Sequence, residues 1–431
     1  MSASALRVTL QAAALAALLA GCSGGGGGWF GGSKETLLEG QRISIRTPAA
    51  PPSIVGRAPA PPAAAANADW GQFNGGSARA GGHLALAADP APAWRRSIGS
   101  GGRLAAPPVV AEGKLYALDS DLNLTALDAG SGAELWSVGL RREGDRGSGG
   151  LGGGLAAEGG RIYAATGYGE VLALDAAGGL IWRVSTGAPV RSAPAVSGGR
   201  VYVLTRADEF LALNAADGAV VWRRQGASGG ASVLGGGSPA VAGPVALAPF
   251  SSGLLSAFMA ADGRPGWEVS TLSSGATRGA GVGVALPQVA GDPVVVDEIV
   301  YAGSRAGGLV AANLRTGEAL WRRDFAVERP AWPAGSALYV TSVDGRVRAL
   351  DRATGATLWE IDLGPGGWTG PVLAGGRLRV ASASGRLFAL DPQTGEALGE
   401  VKLGRGADAG PVVAGGTLYI LTNDGMVSAW R

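Results

Sequence analysis

The sequence predicts an all-β fold, an eight-bladed β-propeller of four-stranded antiparallel blades. Three observations carry that expectation. A unit ending in Trp, or in Gly399 at its last copy, recurs from Trp94 onward at spacings of 42, 46, 40, 45, 54, 38 and 40 residues, close to the period of a propeller blade. Within each unit short apolar strands alternate with turn residues. Glycine contributes 76 of 431 residues, far above its usual share, and much of it falls at fixed points of the repeat, where tight turns use it.

The unit reads as a Pro-Val-Val strand, a glycine turn, a Leu-Tyr strand, a polar turn, a strand ending Ala-Leu-Asp, then x-x-Thr-Gly and Leu-Trp. Its clearest copies run from Ala126-Leu127-Asp128 to Trp136, from Ala349-Leu350-Asp351 to Trp359, and from Ala389-Leu390-Asp391 to Gly399; looser copies end at Trp182, Trp222, Trp267 and Trp321. Alternation such as Leu115-Tyr116-Ala117-Leu118 suits a strand packed between two neighbouring sheets. The Asp at the strand end accepts turn N–H groups, and its recurrence marks turn structure rather than catalysis. The Gly after Thr fits a turn that needs φ > 0. The Trp belongs on the outermost strand, filling the wedge that widens between blades.

Counting from Trp94 through the successive Trp positions to Gly399 yields seven blades. The C-terminal end adds three strands, at Pro411-Val412-Val413, 417–422 and 426–430. The missing Trp-bearing strand is expected at 93–98, so both ends of the chain share the last blade, which locks the ring and removes a free sheet edge. The propeller is assigned to 90–431.

Ahead of it, residues 1–21 read as an export signal: Arg7, an apolar stretch too short to span a bilayer, then Leu18-Leu19-Ala20-Gly21-Cys22. That segment resembles a bacterial lipobox, which implies a covalent lipid on Cys22. Ser23, where an Asp would imply inner-membrane retention, implies an outer-membrane location facing the periplasm. Residues 22–89 read as a flexible Gly/Pro/Ala-rich linker, with a candidate docking segment at 34–45.

Several chemistries are disfavoured. Thirty-six Lys and Arg against 34 Asp and Glu make no basic patch for nucleic acid. One Cys and one His, Cys22 and His83, cannot form a Cys/His zinc site. Gly226-Ala227-Ser228-Gly229-Gly230 matches G-x-S-x-G without the strand–turn–helix context. Asp119-Ser120-Asp121-Leu122-Asn123 opens like a calcium loop but lacks its Gly and terminal Glu. The chain therefore reads as a binding scaffold, not an enzyme, with no cofactor beyond the lipid. Two segments exceed the repeat, 226–237 and 269–292, and long loops are where binding residues concentrate. They supply the partner-binding candidates Val233, Leu234, Arg278 and Gln288.

The Ala-Leu-Asp-x-x-Thr-Gly-x-x-x-Trp repeat resembles that of pyrroloquinoline-quinone-type propellers. Two families share it, the quinone-dependent dehydrogenases and the BamB lipoproteins of the outer-membrane β-barrel assembly machinery. The second resemblance is wider, covering the lipobox, the linker and the ring from Trp94 to Trp430. It implies a ring that binds the POTRA domains of BamA, among other barrel-assembly components, and aids folding and insertion of β-barrel outer-membrane proteins as a subunit of a hetero-complex. Family members use a Leu-x-Leu-Arg segment before the fourth blade; here Ala231-Ser232-Val233-Leu234 stands there without the Arg. Their acidic pair before the next Pro-Val-Val strand is replaced by Gln288-Val289-Ala290. The alternatives are a quinone-dependent dehydrogenase or another periplasmic propeller lipoprotein.

Overall fold

The computed structural model describes residues 56–100, 106–142, 153–227, 236–272, 289, 291–305, 307–327 and 329–431. Among them the strands form eight four-stranded antiparallel sheets arranged as the blades of a ring. Blades 1 to 7 span 109–139, 153–185, 195–225, 240–270, 294–323, 332–362 and 368–402. Each follows chain order from a first strand at the ring's centre, three residues long except in blades 2 and 7, to a solvent-facing fourth strand. Blade 8 joins Val412–Ala414, Thr417–Leu421 and Met426–Trp430 to the N-terminal Pro92–Ser97. Trp94 pairs with Ala429, just as Trp136 pairs with Ala126 in blade 1. The expected closure by both chain ends is the one observed.

Successive strand residues point to opposite faces, and each sheet is covered on both. In blade 1, Leu115, Ala117 and Leu127 enter one apolar cluster, which includes Leu418 and Ile420 of blade 8. Tyr116, Leu118, Leu124 and Ala126 enter another, with Leu155, Ile162 and Leu172 of blade 2. The core is thus a circle of inter-blade layers rather than one centre.

At seven interfaces the layer ends in the same aromatic device. A Trp on the fourth strand packs over a Tyr of its own second strand in six blades, as in Trp136 on Tyr116 and Trp359 on Tyr339. Its indole N–H donates to a carbonyl of the next blade: Trp94 to Ala129, Trp136 to Ala176, Trp182 to Ala215, Trp222 to Ala260, Trp267 to Leu314, Trp321 to Arg352 and Trp359 to Pro392. The glycine of the next blade's Asp-x-x-Thr-Gly turn lies directly under the ring. A Cβ at Gly355, whose φ is +70°, would sit 2.7 Å from the Trp321 indole. That glycine therefore serves twice, allowing the left-handed turn and admitting the neighbour's ring. The strand-end carboxylates close the turn: Asp128 accepts from the Ser131 amide, Asp351 from Thr354, and Asp391 from Gln393 and Thr394.

The expected linker is not observed over 56–89. These residues form a collar on the ring face that carries the first-to-second-strand turns. Between Asn67 and Leu84 the chain visits the first strand of every blade in order. Asn67 donates its side-chain amide to Val413 O in blade 8. Trp70 exchanges both backbone bonds with Val110 of blade 1, Ala157 of blade 2 donates to Gly71, and Gln72 bonds both ways with Val196 of blade 3. Val241 of blade 4 donates to Ser77 and Val295 of blade 5 to Ala78. Trp332 of blade 6 donates to Gly82, and Leu84 donates to Leu373 of blade 7. Ala65 then bridges Leu84, so the circuit closes on itself. Its anchors are Trp70, stacked on Trp332 at 6.0 Å and 9°, and Arg79, fully buried, with its guanidinium donating to the carbonyls of Phe73, Pro194 and Pro239. Composition misread this stretch because its hold is largely backbone hydrogen bonding, which leaves no residue signature.

Candidate partner-docking face

The ring has two unlike faces. First-to-second-strand turns and Asp-x-x-Thr-Gly turns share the collar's face; second-to-third-strand turns and inter-blade connections occupy the other. The collar fills the channel mouth on its side. Trp70 and Phe73 leave a hollow of about 20 Å³ against Arg329, Thr369 and Val412. The described roots of the two long connections singled out from the sequence lie on the opposite face, between blades 3 and 4 and between blades 4 and 5.

Val233, Leu234, Arg278 and Gln288, like Cys22, lie outside the described residues, as do the lipobox and 34–45. The roots of both connections are described, and they meet. The Gly237 amide donates to Val289 O, and the Val289 amide donates to Phe250 O, both at 3.3 Å. The Ser238 amide donates to the Asp292 carboxylate. Gly226, at the root of the first connection, lies against the Phe250 ring, and its amide donates to Asp208 O. Blade 4 thus carries both roots side by side on one rigid sheet end.

A buried charge network underlies them. Arg191 of blade 3 and Asp208 are each about 1% exposed and pair at 2.8 Å. The same carboxylate accepts the Ser251 amide at 2.9 Å and its hydroxyl, crossing to blade 4. Burial lowers the Arg191 pKa, with Asp208 opposing. Burial pushes the Asp292 carboxyl up to about 6, with Arg79 and the Ser238 amide opposing. Burial brings Arg79 down to about 10, with Asp292 opposing. In a buried charge pair of this kind the desolvation cost offsets much of the attraction. Sequence reading missed Arg191, Asp208, Ser251 and Asp292. A signal for Asp208 exists: it adopts φ +56° at a turn position that glycine fills in six other blades, at 169, 253, 307, 345, 385 and 425.

Chemically the face offers bonding and positioning. Asp119, the head of the calcium-like segment, spends its carboxylate on the amides of Asp121 and Asn123 and on the Asn123 side chain, so that segment is a strand-to-strand turn. Among the described residues no three His, Cys, Asp or Glu side chains gather closely enough to hold a metal ion.

The family model described as Outer membrane protein assembly factor BamB matches residues 77–147, 122–347 and 343–430. The chain belongs to the BamB family. The Salmonella typhimurium outer membrane protein assembly factor BamB is 36% identical over 277 residues, covering 63% of this chain and 70% of that one. The Escherichia coli K12 BamB is 35% identical with the same coverage. Among solved structures, BamB from Moraxella catarrhalis is similar with a TM-score of 0.70 at 24% identity, over 80% of this chain and all of that one. A quinohemoprotein alcohol dehydrogenase from Comamonas testosteroni reaches 0.68 at 16% identity, over 85% and 81%. The near-equal scores speak for a shared propeller alone; the BamB assignment rests on the sequence matches, which run from within the collar to Trp430.

Proposed function

We propose that this BamB-family chain is a non-catalytic scaffold of the outer-membrane protein assembly machinery. A lipid on Cys22 holds it at the outer membrane, facing the periplasm. The ring binds the POTRA domains of BamA through the loop-bearing face at blade 4, and so aids folding and insertion of β-barrel proteins. No cofactor takes part. The observation that carries this reading is the tie between the two loop roots at Gly237, Val289 and Asp292. It sets the roots of the two connections that exceed the repeat side by side on a rigid support, which lowers the ordering cost of binding. The names of the Salmonella typhimurium and Escherichia coli relatives, both outer membrane protein assembly factors, support the same role.

The test is binding of purified POTRA domains to the full chain. Leu234→Asp is expected to weaken it by about tenfold or more, as a charge in a desolvated contact does, with the melting temperature unchanged. Undiminished POTRA binding, or a collapsed melting temperature, overturns the assignment of this surface. Lipid on Cys22 is checked by mass spectrometry of the membrane-extracted protein; an unmodified thiol there refutes the anchor.

A further inference from the structure

One interface lacks the aromatic device. The Trp position of blade 7 is Gly399, paired with Ala389 as Trp359 is with Ala349. The Tyr position is Arg379, which faces Ala389 as Tyr339 faces Ala349. A Cβ on Gly399 would meet nothing within 4 Å. The result is a cleft of about 260 Å³ between blades 7 and 8, lined by Arg379, Leu387, Ala389, Gly399, Leu418 and Trp430. It continues along the same seam into a second hollow of about 200 Å³, with Val401 and Trp430 shared by both. The fourth strand of blade 7, Ala397–Lys402, runs beside it with all six residues exposed.

We propose that this seam binds an aromatic residue of a partner polypeptide, its ring entering beside Gly399 and its carbonyl oxygen lying against Arg379. The molecule itself supplies the template. Seven equivalent slots hold indoles, and the eighth keeps the small Ala389 floor and apolar groups from Leu387, Val401, Leu418 and Trp430, beside the charged Asp89, Arg379 and Glu400, while lacking the ring. The charge in the cleft selects an acceptor beside that ring. Glu400 is engaged by Arg386, and Asp89 by Arg377. Arg379 is 5% exposed, donates Nη2 to Ala88 O, and leaves Nε without an acceptor among the described residues. A buried guanidinium with unused donors favours a carbonyl or carboxylate oxygen. Burial and the nearby Arg377 bring it down to about 10, Asp89 opposing, so it stays charged at neutral pH. The joined hollows and the open strand edge suit an extended segment rather than a free ring.

The experiment titrates the full chain with acetyl-Gly-Trp-Gly-amide and acetyl-Gly-Leu-Gly-amide, following the NMR signals of the Gly399 amide and the Trp430 indole. Saturable shifts with the Trp peptide and much weaker ones with the Leu peptide are expected. Gly399→Trp fills the slot from within and should abolish the shift at Trp430 while keeping or raising the melting temperature. Gly399→Leu serves the same purpose should the larger ring prevent folding. Arg379→Met should weaken binding by about tenfold, the worth of one charged hydrogen bond. No saturable shift, equal response to both peptides, or full binding to the filled variants overturns the proposal. Leu234→Asp should leave this binding unchanged, which separates the seam from the POTRA-binding surface.

Discussion

Asp208 and Asp292 do opposite things with a buried carboxylate. Asp208 pairs with Arg191 and accepts from Ser251, knitting blade 3 to blade 4. Asp292 accepts the Ser238 amide at Oδ1, and its Oδ2 has no hydrogen-bond partner among the described residues. Its folded-state value of about 6 lies above the unfolded value of about 4. Between those values the folded chain binds a proton that the unfolded chain has released. Stability from this group is therefore present at the acid end, falls as pH rises through that window, and is level above it. About two pKa units correspond to about 3 kcal/mol. Asp292→Asn keeps an acceptor for the Ser238 amide and removes the titration. Relative to the parent chain, its unfolding free energy in urea should rise between pH 4 and pH 7; a constant difference refutes the assignment. Neither role is plain in the sequence, although Asp208 stands where six other blades carry glycine. Asp208 reads as one more turn Asp until its left-handed backbone is known, and burial of Asp292 depends on Arg79 arriving from more than 200 residues away in the chain.

At the scale of elements, legibility follows periodicity. Trp, Tyr, Asp and Thr-Gly recur because each blade repeats one solution to one packing problem, so the eight sheets and their shared closing blade could be counted from the sequence. The collar repeats nothing. It meets eight similar first strands with eight different residues, and its low-complexity composition resembles a linker. Its one readable trace lies on the ring: Trp332 stands where blades 4 and 5 carry Ala240 and Val294, because blade 6 meets the collar through an indole. Gly81 permits that contact, since a Cβ there would fall 2.1 Å from the Trp332 ring. Gly81→Leu is expected to lift the collar, lowering stability by about 2 kcal/mol, as overpacking does, and exposing 56–84 to protease while the blades resist. Uniform digestion, or no change, refutes the docking of this segment. The partner loops were legible as insertions, but their junction at blade 4 was not, because Gly237, Val289 and Asp292 are unremarkable residues brought together only by the ring.

For the whole molecule, two separate closures coexist. Pro92–Ser97 completes blade 8 at the rim, and 67–84 links all eight first strands at the centre. A truncation series distinguishes them. A chain beginning at residue 56 should melt like the full chain. One beginning at 90 keeps blade 8 whole, loses Arg79 and Trp70, and should melt lower. One beginning at 100 also opens a sheet edge and should be the least stable and the most prone to associate. Equal melting of the last two, followed by calorimetry, would remove the rim strand from the account of closure.

The collar also determines how the ring meets force. A pull on the chain from its N-terminal side reaches Asn67 before it can reach the rim strand. There the load enters a hoop bonded to eight staves and fastened to itself at Ala65 and Leu84. Such a hoop shares tension among its bonds and resists in shear, whereas a rim strand pulled alone would unzip one pair at a time. A subunit tugged at its leading end would yield as a drawstring does, tightening on the channel before any blade is peeled away.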